Sequence, residues 1–281
     1  MIGLDISENN GYIDFTKLKR EKPEIEFLII RIGWIGNKNN HTIDKYFESY
    51  YQRAKENGYK IGFYVYNYCR SVIAIDSACQ WIEKQIKGKN FELPLYLDME
   101  DNSIADIGKD NLTRQCTYFC NYFEKRGIKT GIYANKNWYY NYLNYNELSK
   151  YSIWLAEWNN KITFSGKVDI WQYSSNYMFN NKRFDINKNM TDINYTQPVD
   201  NNVNKEKSEV YVDMKQYKNG STKEPVYSDT ALTHYIGFLN PYEQCDCLGI
   251  QNDRPIVKYK VDNSLNYKIG FVKWLGGIKQ C

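Results

Sequence analysis

The segment Leu93-Pro94-Leu95-Tyr96-Leu97-Asp98-Met99-Glu100-Asp101 is an apolar strand that ends in acidic residues. On a strand, residues i and i+2 point to the same face, so Asp98 and Glu100 project together, with Cα atoms about 6.5–7 Å apart. Two carboxylates this close repel each other when both are ionised, which raises one pKa and leaves a proton donor beside an anion. Cleavage of a glycosidic bond requires such a pair. Taken alone, however, the tripeptide more often marks a strand that runs into a polar loop.

Short apolar runs alternate with longer amphipathic stretches on both sides of this strand. Helical patterns cover residues 42–58, 73–88 and 111–127, and the last of them stops at Gly127. This alternation predicts right-handed βαβ units in a parallel sheet, closed as an α/β fold of the (β/α)-barrel type. Helical patterns disappear after about residue 150, so the last third of the barrel is expected to be irregular and helix-poor. The eight expected strands are Ile2–Ile6, Phe27–Gly33, Ile61–Tyr66, Leu95–Glu100, Thr130–Ala134, Ile153–Trp158, Val168–Gln172 and Thr191–Asn194.

Two further acidic residues fall on the first and the last of these strands. Asp5 closes the first strand, and Asp192 lies in the last. In a closed barrel the first and last strands are neighbours, and barrel enzymes place their active sites at the carboxyl ends of the strands. We therefore expect Asp5, Asp98, Glu100 and Asp192 to face one mouth of the barrel.

The composition narrows the chemistry further. The 281 residues include 37 basic and 33 acidic ones, which is a mixed surface without the charge excess that nucleic-acid binding requires. The two histidines, His41 and His234, lie too far apart to indicate a zinc site or a histidine-based triad. The seven cysteines match no zinc or disulfide spacing and are expected to be free thiols. We expect carboxylate chemistry with no metal and no other cofactor.

The chain carries no recognisable membrane or export signal. No run approaches the roughly 18–20 apolar residues that a membrane span needs. The N-terminus enters a strand almost at once and lacks the basic and apolar regions of a signal peptide. We therefore expect no membrane insertion, and a protein that accumulates in the cytosol.

The C-terminal part of the chain has a different sequence pattern, with short apolar runs and no helical periodicity. Residues 197–209 are polar and aperiodic, which predicts a linker between a first domain at 1–196 and a second at 210–281. Short apolar runs separated by Asn-Gly, Asn-Pro and Asp-Asn turns predict a small all-β barrel in the second domain. Its strands are expected at Val210–Met214, Pro225–Tyr227, Gly237–Leu239, Ile256–Val261 and Ile269–Lys273.

The strand motifs of residues 1–196, taken together and in order, resemble the glycoside hydrolase family 25 lysozymes. The resemblance implies an irregular (β/α)-barrel that cleaves the β-1,4 bond between N-acetylmuramic acid and N-acetylglucosamine in bacterial peptidoglycan. It rests on Gly3-Leu4-Asp5-Ile6-Ser7, Ile29-Ile30-Arg31-Ile32-Gly33, Gly62-Phe63-Tyr64-Val65-Tyr66, Leu97-Asp98-Met99-Glu100, Gly131-Ile132-Tyr133, Trp154-Leu155-Ala156, Ile170-Trp171-Gln172-Tyr173 and Asp192-Ile193-Asn194.

The resemblance also implies roles for the acidic residues. Glu100 would be the general acid/base, and Asp98 would stabilise the positively charged reacting centre or an oxazoline-like intermediate formed by the substrate's 2-acetamido group. Asp5 and Asp192 would orient and tune these two. Spacing leaves retention or inversion open, whereas the resemblance favours retention with substrate assistance. The chain departs from many relatives at Val65-Tyr66, where they have His-Phe.

Several side chains at motif positions are expected to line the cleft. Flat aromatic rings stack on sugar faces, although barrel packing explains each ring about as well. A cation on the second strand is expected to pair either with a site carboxylate or in a structural ion pair. The expected substrate-binding residues are Arg31, Tyr64, Tyr66, Tyr133, Trp154 and Trp171.

The second domain resembles the SH3-like wall-binding modules of clostridial phage endolysins, in residues 218–227 and 268–274. The resemblance implies a phage endolysin that reaches the wall after release and whose module concentrates the enzyme on a wall polymer. The residues expected to meet that polymer are Tyr235, Tyr242, Tyr267 and Trp274. A packing or dimerisation domain, and hence a homo-oligomer, is the alternative for this module. For the whole chain, the alternatives are another glycosidase such as a chitinase, or a non-catalytic wall-binding protein.

Overall fold

The chain divides into two compact units, Met1–Ser208 and Glu209–Cys281. The computed structural model describes residues 1–193, 216–251, 254–261, 267–273 and 279–280. The expected linker at 197–209 and the expected strand at Val210–Met214 lie outside the described residues. Each unit has its own hydrophobic core.

The described part of the first unit contains nine strands: β1 (Ile2–Ile6), β2 (Ile25–Ile35), β3 (Thr42–Ile43), β4 (Lys60–Asn67), β5 (Leu95–Asp98), β6 (Thr130–Asn135), β7 (Ser152–Ala156), β8 (Ile170–Phe179) and β9 (Lys182–Asn189). Eight of them close into a barrel in the order β1-β2-β4-β5-β6-β7-β8-β9, with β9 paired back to β1. The short β3 extends the outer end of β2. The expected α/β barrel class is confirmed.

Helices follow most of the early strands of the barrel. They are α1 (Phe15–Glu21), α2 (Phe47–Glu56), α3 (Val72–Ile86), α4 (Lys109–Glu124), α5 (Lys136–Asn141) and α6 (Tyr145–Leu148), with 3₁₀ turns at Glu8–Asn10 and Asn102–Ile107. Asp14, Ser71 and Asn135 cap the first turns of α1, α3 and α5. Helix α4 lies in the stretch 111–127 that was expected to be helical, and it buries an apolar stripe of Leu112, Cys116, Phe119, Cys120 and Phe123.

The last barrel strand differs from the expected one. The chain turns at Asn180-Asn181, whose φ angles of 48° and 59° suit a two-residue hairpin turn, and β9 returns antiparallel to β8. The sheet is therefore mixed, with seven parallel barrel strands and one antiparallel strand. The prediction of a strand at Thr191–Asn194 is wrong for its described part, because residues 191–193 lie beyond β9 and outside any strand.

Aromatic side chains fill the barrel interior below the mouth. The Trp154 ring lies at the centre of this cluster, 4.5 Å from the Tyr133 ring, 5.1 Å from Tyr96 and 5.9 Å from Tyr64, measured between centroids. A Cβ atom at Gly131 would lie 2.4 Å from the Tyr96 ring, so glycine is needed where that ring packs against β6. This aromatic cluster, the floor of the barrel mouth, is therefore closely packed.

The described part of the second unit is an antiparallel sheet. Its strands are β10 (Gln216–Lys218), β11 (Glu224–Tyr227), β12 (Tyr235–Leu239), β13 (Gln244–Gln251), β14 (Arg254–Lys260), β15 (Tyr267–Val272) and β16 (Lys279–Gln280). They lie in the order β12-β11-β15-β14-β13-β10-β16, and the core is built around Val226, Leu239, Val257 and Val272. The four expected strands that lie in the described residues coincide with β11, β12, β14 and β15.

Two further expectations concern the membrane and the thiols. In the part of the chain that the structure describes, none of the helices is both long and apolar enough to cross a membrane. Cys69, Cys79, Cys116 and Cys120 are free and buried, Cys245 is buried, and Cys247 is half-buried. The seventh cysteine, at position 281, lies outside the described residues.

Candidate active site

The acidic pair stands where β5 ends at the carboxyl end of the barrel. Asp98 is the last residue of β5 and is almost completely buried, whereas Glu100 is half-buried. Between them, the Met99 N–H donates to the Tyr133 carbonyl at 2.8 Å and holds the chain against β6. The Oδ1 atom of Asp98 is buried and has no hydrogen-bond partner among the residues that the structure describes. A buried polar atom of this kind is costly unless a bound group or a proton satisfies it.

A second acidic pair joins the first from the other side of the barrel. Asp5 on β1 lies directly opposite Asp185 on the antiparallel strand β9. The Nδ2 atom of Asn187 donates to Oδ2 of Asp5 at 2.7 Å, and Nε2 of Gln172 donates to the same oxygen at 3.0 Å. Burial, the charge of Asp185 and, more weakly, that of Glu100 still raise the pKa of Asp5 to about 7. The two amides therefore orient this carboxyl group without making it a strong acid.

Burial also dominates the charge state of Asp98. Loss of solvent raises the pKa of Asp98 well above its usual range, and the charges of Glu100 and Asp5 raise it further. The Arg31 guanidinium opposes this and lowers the Asp98 pKa. Asp98 is therefore sensitive to any positive charge that appears nearby, because such a charge favours its ionised form.

Opposing influences act on the pKa of Glu100, and their net effect is to raise it. Burial raises the pKa of Glu100, the Tyr133 hydroxyl beside it lowers that pKa, and the charge of Asp185 raises it. Burial raises the pKa of Asp185 as well. With Asp5 and Asp98, four carboxyl groups thus share one mouth, and the mouth retains protons that isolated acids would have lost.

These shifts predict that the barrel loses stability as the pH rises. The pKa of Asp5 is about 7 in the folded state and 3.8 ordinarily, so between these values the folded chain holds a proton that the unfolded chain releases. Stabilisation by this group is therefore fully present below about pH 4 and is lost as the pH rises through about 7. We expect a melting temperature at least ~2–4 °C higher at pH 5 than at pH 8, measured by circular dichroism. An Asp5→Asn variant should show a smaller difference, and an equal or larger one would contradict the assignment.

Asp192 does not belong to this group. Because β9 runs from the mouth towards the base, residues beyond Asn189 reach the opposite end of the barrel. There the exposed Asp192 lines a cavity with Lys129 and Ser152, at the beginnings of β6 and β7. The expectation that Asp192 faces the mouth is wrong, and Asp185 takes the place that it was expected to occupy. Each of these two residues begins an Asp-Ile-Asn tripeptide, and only the Asn180-Asn181 turn signal distinguishes them in the sequence.

Arg31 forms structural ion pairs at the edge of the site. Its Nε atom lies 2.9 Å from Oδ2 of the buried Asp44, and its Nη2 atom lies 3.3 Å from Oε1 of Glu8. Asp44 also accepts hydrogen bonds from the backbone N–H groups of Glu8 and Tyr46. Of the two expected roles of Arg31, the structure thus shows the ion pair, while the effect of Arg31 on the pKa of Asp98 shows that it borders the acids.

The expected aromatic residues divide into three positions. Tyr64 and Trp154 are buried in the floor, and Nε1 of Trp154 donates to Oδ1 of Asn187 at 2.8 Å. Tyr133 and Tyr66 reach the acids, and the Tyr66 hydroxyl donates to Asp101 at 3.0 Å. Trp171 points away from the interior, so its placement in the cleft is corrected.

The reason for the Trp171 correction is strand alternation. Ile170 and Gln172 face the barrel interior, so Trp171 between them faces outward, and its Nε1 atom donates to the Glu157 carbonyl at 2.8 Å. Gln172 is the inward residue of this motif that sequence reasoning missed. Its Oε1 atom accepts from the Tyr133 hydroxyl at 3.2 Å and from Nε1 of Trp158 at 2.9 Å.

Trp158 is a further residue that sequence reasoning did not select. Its side chain is 63% exposed, yet its indole N–H is fixed by Gln172, which in turn holds Asp5. An exposed ring with a fixed orientation beside buried acids is suited to stacking on a sugar. The mouth thus combines proton-donating and anionic carboxyl groups with aromatic surface, which is the equipment for acid–base cleavage of a glycan.

Comparisons with known proteins agree with this geometry. Residues 4–182 match the model of "Glycosyl hydrolases family 25". The autolytic lysozyme of Clostridium acetobutylicum is 26% identical over 158 residues, which cover 56% of this chain and 45% of that protein. The matched region thus spans less than half the length of this curated relative.

Solved structures share the barrel fold. The modular autolysin LytC of Streptococcus pneumoniae, solved with a synthetic peptidoglycan ligand, matches with a TM-score of 0.59 and 20% identity over 66% of this chain and 46% of that chain. The lysozyme of Streptomyces coelicolor matches with a TM-score of 0.55 and 21% identity over 68% of this chain and 92% of that chain. Since the family model covers well over half of the sequence, the chain belongs to glycosyl hydrolase family 25.

Proposed function

We propose that the protein is a muramidase that hydrolyses the β-1,4 bond between N-acetylmuramic acid and N-acetylglucosamine in peptidoglycan. The observation that carries this proposal is the Asp98–Glu100 pair at the barrel mouth, with both pKa values raised. Membership of a glycosyl hydrolase family and similarity to an autolytic lysozyme support the same reaction.

Glu100 is proposed as the general acid and then the general base. Its raised pKa keeps a proton available for the leaving oxygen, and its partial exposure lets it reach both the glycosidic bond and the incoming water. After bond cleavage the ionised Glu100 removes a proton from that water, which returns the site to its starting state.

Asp98 is proposed to stabilise the positive charge that develops at the sugar. In its buried surroundings a carboxylate interacts strongly with a nearby cationic centre, because solvent does not screen the attraction. The same arrangement suits an oxazoline-like intermediate formed by the substrate's own 2-acetamido group. Asp5 and Asp185 are proposed to tune the acids, since the charge of each raises the pKa of one of them.

Digestion of purified peptidoglycan by the whole chain tests this function. We expect new reducing ends without new free amines, because glycosidic bonds and not peptide bonds are cut. Free amines without reducing ends would indicate a peptidase, and neither product would indicate a non-catalytic wall-binding protein. Either outcome would contradict the proposal.

We also propose that the second unit is an SH3-like module that binds the wall, as in a phage endolysin. Tyr235, Tyr242 and Tyr267 are exposed by 59%, 61% and 38%. The Nζ atoms of Lys218 and Lys258 lie 5.8 Å and 5.4 Å from the Tyr242 and Tyr267 ring centres. Rings accompanied by cations suit an anionic wall polymer. The fourth expected residue, Trp274, lies outside the described residues.

A sedimentation assay tests the targeting role in the full chain. In a Glu100→Gln background, which keeps the wall intact, we expect the protein to sediment with purified cell walls at physiological salt. Tyr235→Ala combined with Tyr242→Ala should reduce the bound fraction several-fold, since both rings are largely exposed and their loss leaves the core unchanged. The matched control is Tyr140→Ala, an exposed ring of the first unit. Equal sedimentation of all three proteins would contradict the targeting role.

A further inference from the structure

Strand β2 carries one extra residue beside the active site. Arg31 pairs with Tyr64 of β4, but Gly33 already pairs with Val65, so two steps along β2 correspond to one along β4. A bulge of this kind reverses the alternation of side chains beyond it. Arg31 and Trp34 therefore face the same side, and the guanidinium carbon lies 5.5 Å from the Trp34 ring centre. Without the bulge, Trp34 would face the outer helices.

The neighbouring strand depends on a glycine at this point. A Cβ atom at Gly33 would lie 1.9 Å from the Thr42 carbonyl oxygen, so only glycine lets β3 pass this close to β2. β3 and the loop before it, residues 36–41, form a wall at the outer end of β2. The bulge and the glycine together bring Trp34 and this wall to the mouth of the barrel.

Trp34 borders a cavity of about 560 Å³, a size typical of small-molecule sites. Asn9 lines it from the turn after β1, Asn40 from the loop before β3, and Tyr68 from the segment after β4. The Tyr68 side chain is 40% exposed, and its ring lies 4.9 Å from that of Tyr66. The Tyr66 hydroxyl donates a hydrogen bond to Asp101, the residue after Glu100. The cavity therefore adjoins the acidic mouth.

The charges around the cavity favour a neutral ligand. Among the described residues that line it, Arg31 is the one with a cationic side chain, and it already pairs with Glu8 at 3.3 Å and with Asp44 at 2.9 Å. Glu8 itself also lines the cavity, so an anionic ligand would meet a carboxylate there. What remains to recognise a ligand is the flat faces of Trp34 and Tyr68 and the amides of Asn9 and Asn40.

We propose that this cavity is a binding subsite for a neutral N-acetylhexosamine residue of the glycan, one that lies outside the bond being cleaved. Trp34 stacks on the sugar face, and the side-chain amides of Asn9 and Asn40 form hydrogen bonds with the hydroxyl and acetamido groups of the sugar. The inference rests on the proposed muramidase function. Trp34 and Tyr68 are specificity-determining residues in this proposal, since they bind the glycan chain without touching the reacting atoms.

The test compares substrates of two lengths. The probes are the shortest soluble peptidoglycan glycan that the wild type cleaves and a glycan of twice that length. For Trp34→Ala we expect KM for the long glycan to rise about tenfold, equivalent to ~1.4 kcal/mol, with kcat unchanged and the short glycan unaffected. Trp34→Phe should retain most of the affinity, because it keeps a stacking ring. Tyr12→Ala, which removes an exposed ring packed over Arg53 outside the cavity lining, is the matched control.

Two results would overturn the subsite. One is an unchanged KM of Trp34→Ala for both glycans, and the other is an equal loss for both, which would indicate a structural role. Calorimetric titration of wild type and Trp34→Ala with an N-acetylglucosamine oligomer separates this inference from the proposed function. If the wild type cleaves nothing but binds the oligomer more tightly than Trp34→Ala does, the muramidase proposal fails and the subsite stands. If the two proteins bind equally, the subsite fails.

Discussion

Glu100→Gln is expected to lower reducing-end release from peptidoglycan by about 10²–10⁴-fold, the usual contribution of a general acid and base. Glutamine preserves the shape of the side chain but has no proton to transfer to the leaving oxygen. The raised pKa of Glu100 supports its proposed role as the group that exchanges protons. The measurement is the initial rate on purified walls at neutral pH, normalised to folded protein.

A matched control separates this effect from a general loss of the fold. Glu83→Gln makes the same chemical change on helix α3, where Glu83 pairs with Arg126 at 3.2 Å on the outside of the barrel. We expect this variant to keep the wild-type rate within about twofold, as surface substitutions usually do. Glu100→Gln should unfold at or above the wild-type melting temperature, because it removes a repelling carboxylate. A Glu100→Gln rate within a few fold of wild type would remove Glu100 from the proposed role.

Asp185→Asn is expected to shift the activity profile to lower pH, whereas Asp192→Asn should leave it unchanged. The charge of Asp185 raises the pKa values of Glu100 and Asp5. Removing that charge lowers the pKa of Glu100, so the general acid loses its proton at a lower pH and the alkaline limb moves down. If the variant lowers the pKa of Glu100 by one, then at a pH above the Glu100 pKa of both proteins about tenfold less Glu100 is protonated in the variant than in wild type.

The two variants form an unusually close pair, since both change the first residue of an Asp-Ile-Asn tripeptide. The measurement is kcat/KM against pH for wild type, Asp185→Asn and Asp192→Asn. Asp192 lines a cavity with Lys129 and Ser152 at the base of the barrel, at the opposite end from the acidic mouth. A shifted profile for Asp192→Asn with a wild-type profile for Asp185→Asn would show that the sequence-based expectation was right about function despite the structure.

Local patterns predict most of the barrel, because each of the barrel strands β1, β2 and β4 to β7 carries an apolar run followed by a turn or a helix. The short β3 (Thr42–Ile43) is not predicted, since it falls at the start of the stretch 42–58 that was expected to be helical. Asp5, Asp98 and Glu100 were predicted to share a mouth from strand order and alternation alone, and the structure brings them together. The prediction places Asp192 at the mouth because a parallel sheet would have all its strands end there. The Asn180-Asn181 turn makes the last strand antiparallel, and this reversal sends Asp192 to the base.

The remaining differences between prediction and structure concern which face of its strand a side chain lies on. A short sequence motif does not specify that face. Trp171 and Gln172 are adjacent, and only the register of β8 decides that Gln172 reaches Asp5 while Trp171 faces outward. Trp34 faces the mouth because of a bulge, and a bulge is a feature of pairing between two strands. Neither the partner strand nor its register is visible in the residues of one strand.

The identity of the sugar at the newly formed reducing end tests the central proposal most directly. Walls digested by the full chain are reduced with borohydride, hydrolysed and examined by mass spectrometry. We predict that the reduced sugar is derived from muramic acid, and that digestion with Glu100→Gln yields almost none of it. A reduced sugar derived from glucosamine, or the same yield of reduced muramic acid from wild type and Glu100→Gln, would contradict a muramidase that acts through Glu100.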